Sequence, residues 1–156
     1  ELFEAGVTVA RDTQQYIPLT PKRSVAIIYP ASRPQIMREC SAYHPSIHWV
    51  GVSLSPQTQE ITWAQDAVKR TDVVIVFTQN ADEDPQQEAL VNALPSEKTI
   101  AVALWSPYDW TVYPQVAGYV VTYSPLPPAI SAACKILFGV LPARGALSLS
   151  VPGLAP

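Results

Sequence analysis

Five short apolar segments recur along the chain at intervals of roughly 20 to 27 residues, with space for a helix between successive segments. Continuous apolar runs of this length, rich in Val, Ile and Tyr, are typical of strands buried on both faces of a parallel sheet. The pattern predicts an α/β fold, a flavodoxin-like open three-layer sandwich with a mostly parallel sheet of five to six strands. The five segments are SVAIIYP at 24–30, IHWVGVS at 47–53, DVVIVFT at 72–78, TIAVALW at 99–105 and GYVVTY at 118–123.

The intervening segments carry helix signals. Ser55 followed by Pro56 indicates a helix start, and Asp84 followed by Pro85 indicates a second, with Asp84 as the N-cap. Gly139 stands where a left-handed residue ends a helix. The predicted helices lie at 55–70, 84–95 and 130–139, with a weaker one at 33–42 and an irregular one at 107–116.

The two ends of the chain differ from this alternating middle. Residues 1–22 lead through a polar, proline-containing segment into the first strand, so we expect them to be a linker from an upstream domain and 23–156 to be the α/β domain. Apolar and polar residues alternate at 146–153, which predicts an edge strand. The first residue is Glu1 and no signal peptide is visible, so we expect a fragment of a longer protein of undetermined compartment.

Charge and motifs exclude several classes of function. Ten Lys and Arg against 13 Asp and Glu give a net charge of -3 without a basic run, so a nucleic-acid partner is not expected. The apolar runs are shorter than the roughly 18 residues of a membrane helix, so a membrane partner is not expected either. Neither glycine-rich phosphate motif occurs, and no cofactor is predicted.

Cysteines and histidines are few. Cys40 and Cys134 lack C-x-x-C spacing, and we predict that both are free thiols in the core. Cys40, His44 and His48 have a spacing that resembles a metal site, but Pro45 interrupts the helix that would align them and a fourth ligand is missing. No metal site is therefore predicted.

Two loops after predicted strands concentrate acids and aromatics. Ligands of parallel α/β sheets bind outside the carboxyl ends of the strands, where loops 79–84 and 106–110 are expected to lie together. The acids could instead cap a helix, and the aromatics could pack against a neighbouring element. As both loops are expected to be exposed, removing Asp109 or Glu83 should change stability by no more than about 1 kcal/mol. The candidate substrate-binding residues are Asp82, Glu83, Asp84, Tyr108, Asp109 and Trp110.

In combination, four stretches resemble the C-terminal α/β domain of glycoside hydrolase family 3, especially its β-N-acetylhexosaminidase branch. The resemblance covers nearly the whole chain, with one departure at Ser148, where the family usually has proline. The stretches are VTVARDTQQYIPL at 7–19, TDVVIVFTQNADEDPQQEALVNAL at 71–94, ALWSPYDW at 103–110 and VVTYSPLPPAISAACKILFGVLPARGALSLSVPG at 120–153.

The resemblance implies a retaining glycosidase whose nucleophilic aspartate lies in an upstream (β/α)8 barrel, the expected partner of this domain together with carbohydrate. The hexosaminidase acid/base segment K-H-F-P-G-H-G does not occur in the chain. In the glucosidase branch the acid/base is a glutamate of the second domain, and Glu83 is its nearest positional candidate, although the surrounding pattern is absent. The isolated chain is therefore expected to be inactive. The alternative is a stand-alone module that binds a small ligand or is purely structural.

Overall fold

Six strands form one mixed sheet in the computed structural model, which describes residues 6–142 and 151–154. The sheet order is β1-β6-β5-β4-β2-β3, in which β1 is antiparallel to β6 and the other pairs are parallel. The predicted, mostly parallel α/β sheet is confirmed. The strands are β1 (Thr8–Asp12), β2 (Val25–Pro30), β3 (Ile47–Val52), β4 (Val73–Thr78), β5 (Thr99–Ala103) and β6 (Gly118–Val121).

Helices cover both faces of this sheet. The helices are α1 (Gln35–Cys40), α2 (Thr58–Val68), α3 (Pro85–Asn92) and α4 (Pro127–Leu137), with short 3-10 helices at Ser41–Tyr43, Ala81–Glu83, Ser96–Lys98 and Pro107–Val112. Buried side chains of α1 and α4 share one core with one face of the sheet, and those of α2 and α3 share a second core with the other face. The result is the predicted three-layer arrangement. Within the described residues, no helix is both long and apolar enough to cross a membrane.

Strand β4 shows why the apolar runs are continuous. Val73, Ile75 and Phe77 belong to the core beneath α1 and α4, whereas Val74 and Val76 belong to the core on the opposite face. Every residue of β4 is buried. Alternate side chains of a strand point to opposite faces, so a strand that is covered on both sides carries apolar side chains on both faces along most of its length.

The start of α2 differs from the prediction. The helix begins at Thr58, and Gln57 is its N-cap, because the Glu60 carboxylate accepts the Gln57 N–H at 3.1 Å. The same carboxylate accepts the Ser53 N–H at 2.7 Å, and this hydrogen bond is the main cause of the lowered pKa of Glu60. Ser55, the predicted cap, instead donates its hydroxyl to Asp84.

Part of the predicted linker belongs to the sheet. Strand β1 pairs antiparallel with β6, in a register that joins Thr8 to Val121, and so forms one edge of the sheet. The strand predicted at 146–153 falls mostly outside the described residues. Val151 and Leu154 make an isolated β-bridge.

The prediction of two free thiols is wrong, because Cys40 and Cys134 form a disulfide. Helices α1 and α4 pack side by side on one face of the sheet and bring the two Cα atoms to 5.0 Å, although the cysteines are 94 residues apart in sequence. This distance lies within the range that a disulfide spans. Neither cysteine is exposed, so the bond lies inside the core.

His44 has a structural role in the same region. Its Nδ1 atom accepts the Ser46 N–H at 3.1 Å, so the proton lies on Nε2, which donates to the Arg23 carbonyl at 2.9 Å. The ring also contacts Phe138. Both ring nitrogens are thus used within the fold, and His48 lies exposed on β3. No three His, Cys, Asp or Glu side chains of residues 6–142 and 151–154 form a group that could hold a metal ion.

Candidate functional site at the carboxyl edge of the sheet

Loop 79–84 leaves the carboxyl end of β4 in a conformation fixed by one buried amide. The Gln87 side chain, 3% exposed, accepts the Gln79 N–H and donates to the Gln79 carbonyl, both at 2.8 Å. Asn80 then adopts a left-handed conformation with φ 56°, which asparagine tolerates better than most residues. A glutamine on the first turn of α3 therefore determines where the loop begins.

Asp84 caps α3. Its carboxylate accepts the N–H groups of Gln86 and Gln87 at 3.0 and 3.4 Å, as well as the Ser55 hydroxyl at 2.5 Å. Burial acts to raise the pKa of Asp84, but the hydrogen bonds outweigh it and hold the pKa below its usual value. The predicted N-cap is confirmed. Since its oxygens are used within the fold, Asp84 is poorly placed to bind a sugar.

Asp109 lies beneath the surface, with no exposed area. The Thr78 hydroxyl at the end of β4 donates to Asp109 Oδ2 at 2.7 Å, and the Tyr113 hydroxyl lies 2.8 Å from the same Thr78 oxygen. The Asp82 N–H points to Asp109 Oδ1 at 3.5 Å, which links the two loops. Burial raises the pKa of Asp109 to about 7. The expectation that Asp109 is an exposed loop acid is therefore wrong.

Trp110 is also buried, with 1% of its surface exposed. Its ring packs on Tyr119 of β6 at a centroid distance of 5.2 Å, and the Arg11 guanidinium lies 5.3 Å from its centroid. The indole cannot stack on a sugar in this conformation. The alternative interpretation, an aromatic side chain packed against a neighbouring element, describes Trp110.

The remaining candidates are accessible. Asp82 and Glu83 are exposed on the 3-10 helix Ala81–Glu83, and Tyr108 is 37% exposed on the adjacent loop. The two loops meet at one edge of the sheet, as predicted. A role in sugar binding stays a prediction for these three residues.

Trp105 is a candidate that the sequence analysis missed. The apolar run TIAVALW suggests a strand to residue 105, but β5 ends at Ala103. The Leu104 N–H bonds to the Thr78 carbonyl, and Trp105 follows with 51% of its surface exposed. Leu126, after the neighbouring β6, is 54% exposed. The signal available in the sequence was a tryptophan at the last position of the apolar run, where the chain leaves the predicted sheet.

The arrangement limits the chemistry of the described residues. Retaining glycosidases need two carboxyl groups about 5–5.5 Å apart on either side of the scissile bond. Here Asp109 is enclosed by the fold, and Asp82 and Glu83 occupy neighbouring positions on one short helix. The described residues of the site therefore offer exposed acids and aromatics for contact.

No protein-family model matches the sequence, and no curated protein matches it significantly. Solved structures do match the fold. A glycoside hydrolase family 3 β-N-acetylglucosaminidase from Paenibacillus sp. has a TM-score of 0.86 at 21% identity, covering 97% of this chain and 31% of that one. A fungal multi-domain β-N-acetylglucosaminidase of the same family has a TM-score of 0.84 at 23% identity, covering 99% and 19%.

A third structure extends the likeness to glucosidases. The β-glucosidase from Listeria innocua in complex with isofagomine has a TM-score of 0.79 at 14% identity, covering 95% of this chain and 26% of that one. The chain thus spans less than a third of each of these enzymes. It has an α/β fold that family 3 glycoside hydrolases contain as one part of a longer polypeptide, as the sequence resemblance predicts.

Proposed function

We propose that the chain is the C-terminal accessory domain of a retaining family 3 glycosidase, of the β-N-acetylhexosaminidase or β-glucosidase type, and packs on an upstream (β/α)8 barrel. The observation that carries the proposal is the coverage: nearly all of this chain superposes on less than a third of an enzyme of that family. A domain of this kind supports catalysis through its contacts with the rest of the polypeptide.

The carboxyl edge of the sheet is the surface that we assign to the barrel. Trp105, Tyr108 and Leu126 follow the adjacent strands β5 and β6, and each exposes between 37% and 54% of its surface. Leu54, 40% exposed, follows β3 at the same edge. Large apolar side chains exposed along one edge of the sheet favour a contact with another domain.

The proposal separates two roles among the predicted site residues. Asp82, Glu83 and Tyr108 are exposed and can reach a sugar held between the domains. Asp109 and Trp110 support the loops from within the core, and Asp84 caps α3. Since the nucleophile is assigned to the barrel, the chain alone should not hydrolyse glycosides.

The test compares the chain alone with the polypeptide that includes its upstream region. We expect the longer polypeptide to hydrolyse 4-nitrophenyl N-acetyl-β-glucosaminide or the β-glucoside, and the chain alone to show no turnover. Turnover by purified chain alone, or no glycosidase activity in the longer polypeptide, would contradict the proposal. Saturable binding of a small ligand by the chain alone, without any effect of upstream residues, would favour the stand-alone module.

A matched pair of variants tests the assigned surface. Trp105 and Trp63 are 51% and 52% exposed, but Trp63 lies on α2. We expect Trp105→Ser to loosen the domain contact in the longer polypeptide, seen as faster hydrogen exchange at the carboxyl edge, and Trp63→Ser to leave it unchanged. Equal effects of both variants would refute the assignment of this edge.

A further inference from the structure

Strand β3 forms the lateral edge of the sheet opposite β1. It pairs with β2 along its whole length, from Ile47 beside Val25 to Val52 beside Pro30, and no strand of the described residues lies on its other side. The edge of a sheet presents unpaired backbone N–H and C=O groups, which can pair with a further strand. This edge runs along the side of the sheet and so differs from the carboxyl edge that we assign to the barrel.

The ladder between β2 and β3 shows which backbone groups of β3 point outward. The Ala31 N–H bonds to the Val52 carbonyl at 2.7 Å, so Val52 faces β2. Alternate residues of a parallel strand face the same neighbour, and Val50 and His48 therefore face β2 as well. The backbone groups of the residues between them point away from β2, and no hydrogen bond of the described residues uses them. The outward residues are Ile47, Trp49 and Gly51.

The two lateral edges of the sheet differ in their protection against pairing. Charged side chains, proline and bulges on an edge strand oppose pairing with another chain. Strand β1 carries Arg11 and Asp12, and its register shifts between Val9 and Arg11. Strand β3 contains no Lys, Arg, Asp, Glu or Pro, and its register with β2 is regular. We therefore expect β3, rather than β1, to accept a further strand.

The outward groups of β3 match those of a second, antiparallel copy of the same strand. The outward residues are spaced evenly about Trp49, so a copy related by a two-fold axis places Trp49 opposite Trp49 and Ile47 opposite Gly51. Residues paired in this way exchange both of their backbone hydrogen bonds. Every outward N–H and C=O group of β3 then has a partner.

Neighbouring residues favour this register over its alternatives. If one strand slides by two residues, Ile47 lies opposite Ser53, whose N–H already donates to the Glu60 carboxylate at 2.7 Å. If it slides the other way, Gly51 lies opposite Pro45, which has no N–H. Either shift leaves a carbonyl group of β3 without its donor, so the symmetric register is the one that pairs all the outward groups.

The side chains of β3 also suit the symmetric register. Trp49 is half-buried and packs against the core beneath α1 and α4, where its ring meets Tyr29 edge-on at a centroid distance of 5.8 Å. Gly51 lies diagonally across from the Trp49 of the second copy and has no side chain to obstruct that ring. On the other face of the sheet, His48 lies opposite Val50, so no like charges meet across the pair.

We propose that β3 is the pairing edge of a symmetric dimer, in which two copies of this chain join their sheets antiparallel about Trp49. The two sheets then form one continuous sheet. Because the pairing uses the lateral edge, it goes beyond the proposed function and does not depend on the barrel contact.

The test measures the mass of the chain by sedimentation equilibrium across a dilution series up to the millimolar range, with residue-resolved amide exchange measured by NMR at each concentration. We expect a monomer–dimer equilibrium. The amides of Ile47, Trp49 and Gly51 should become protected as the dimer forms, whereas the β3 amides that bond to β2 should be protected at every concentration. A chain that stays monomeric, or a dimer in which the outward amides exchange as fast as in the monomer, would overturn the proposal.

Two tryptophan variants locate the interface. Trp49→Lys places like charges opposite each other at the two-fold axis, and we expect the dimer to be lost. Trp105→Lys, a control at the carboxyl edge, should leave the dimer unchanged. Loss of the dimer in Trp105→Lys, with the dimer retained in Trp49→Lys, would mean that the chain self-associates through the carboxyl edge and would overturn the proposal. Should Trp49→Lys not fold, the protection of the outward amides in the unmodified chain decides the question.

Discussion

Breaking the Cys40–Cys134 disulfide should destabilise the chain without abolishing its fold. The bond joins α1 to α4, so that the short α1 is tied to a helix whose apolar side chains fill the core on that face. Reduction leaves two buried thiols among apolar neighbours, which a core accepts. The expected effect therefore arises mainly from the greater freedom of the unfolded chain.

The size of the effect follows from the length of chain that the bond closes. A separation of 94 residues gives about 4.7 kcal/mol in the chain-entropy model, and measured losses for native disulfides are typically about 2–5 kcal/mol. With a urea m-value of about 1–3 kcal/mol/M, such a loss moves the unfolding midpoint down by about 0.7 M or more.

The assay combines a thiol count with urea unfolding. The unreduced chain, denatured and treated with a thiol reagent, should titrate no cysteine, and its urea midpoint should fall after reduction. The double variant Cys40→Ala/Cys134→Ala is the control, because a reductant should not change its midpoint. Two titratable thiols in the unreduced chain, or equal midpoints before and after reduction, would refute the disulfide and its assigned contribution.

Three further predictions concern single side chains. Burial raises the pKa of Asp109 from 3.8 to about 7, so its contribution to the free energy of unfolding is complete below pH 3.8 and is lost as pH rises through 7. The loss amounts to at most about 4 kcal/mol. Urea unfolding across pH 5–8 should show the free energy of unfolding falling with pH, and Asp109→Asn should flatten this dependence. Gly118→Ala places a Cβ 2.9 Å from Ile100 Cγ1 and should cost about 1–3 kcal/mol, so a thermal midpoint equal to that of the unmodified chain would contradict the packing. Asp84→Ala should cost about 1–2 kcal/mol through loss of the α3 cap, measured by urea unfolding, with the exposed Glu88→Ala on the same helix as a near-neutral control.

Local patterns were enough to predict the sheet and one helix start. The residues of β4 that point to one face of the sheet are apolar, and so are those that point to the other. A strand has this pattern when helices cover both faces of its sheet. Asp84 before Pro85 predicts a helix start because both the cap and the first helical residue are specified within two positions. Such features depend on neighbours in sequence.

Features set by distant neighbours were missed. The disulfide depends on α1 and α4 meeting on one face, and β1 depends on a free edge of β6, neither of which a local pattern reveals. The start of α2 was missed for a local reason. Ser55-Pro56 suggested that the helix begins there, whereas the Glu60 carboxylate accepts the Gln57 N–H and makes Gln57 the N-cap.

The carboxyl-edge loops show why the composition of a loop does not predict which of its side chains are exposed and available for binding. Loop 106–110 places Tyr108 outside while Asp109 and Trp110 turn inward, because Thr78 and Tyr119 supply partners from β4 and β6. Adjacent residues thus differ completely in exposure. In the longer glycosidase that we propose, we expect variants of Asp109 and Trp110 to lower activity by disturbing the loops and variants of Tyr108 to report on contact alone. A functional test of this edge should therefore begin with variants of the exposed side chains. Variants of the buried side chains should be assessed by their free energy of unfolding.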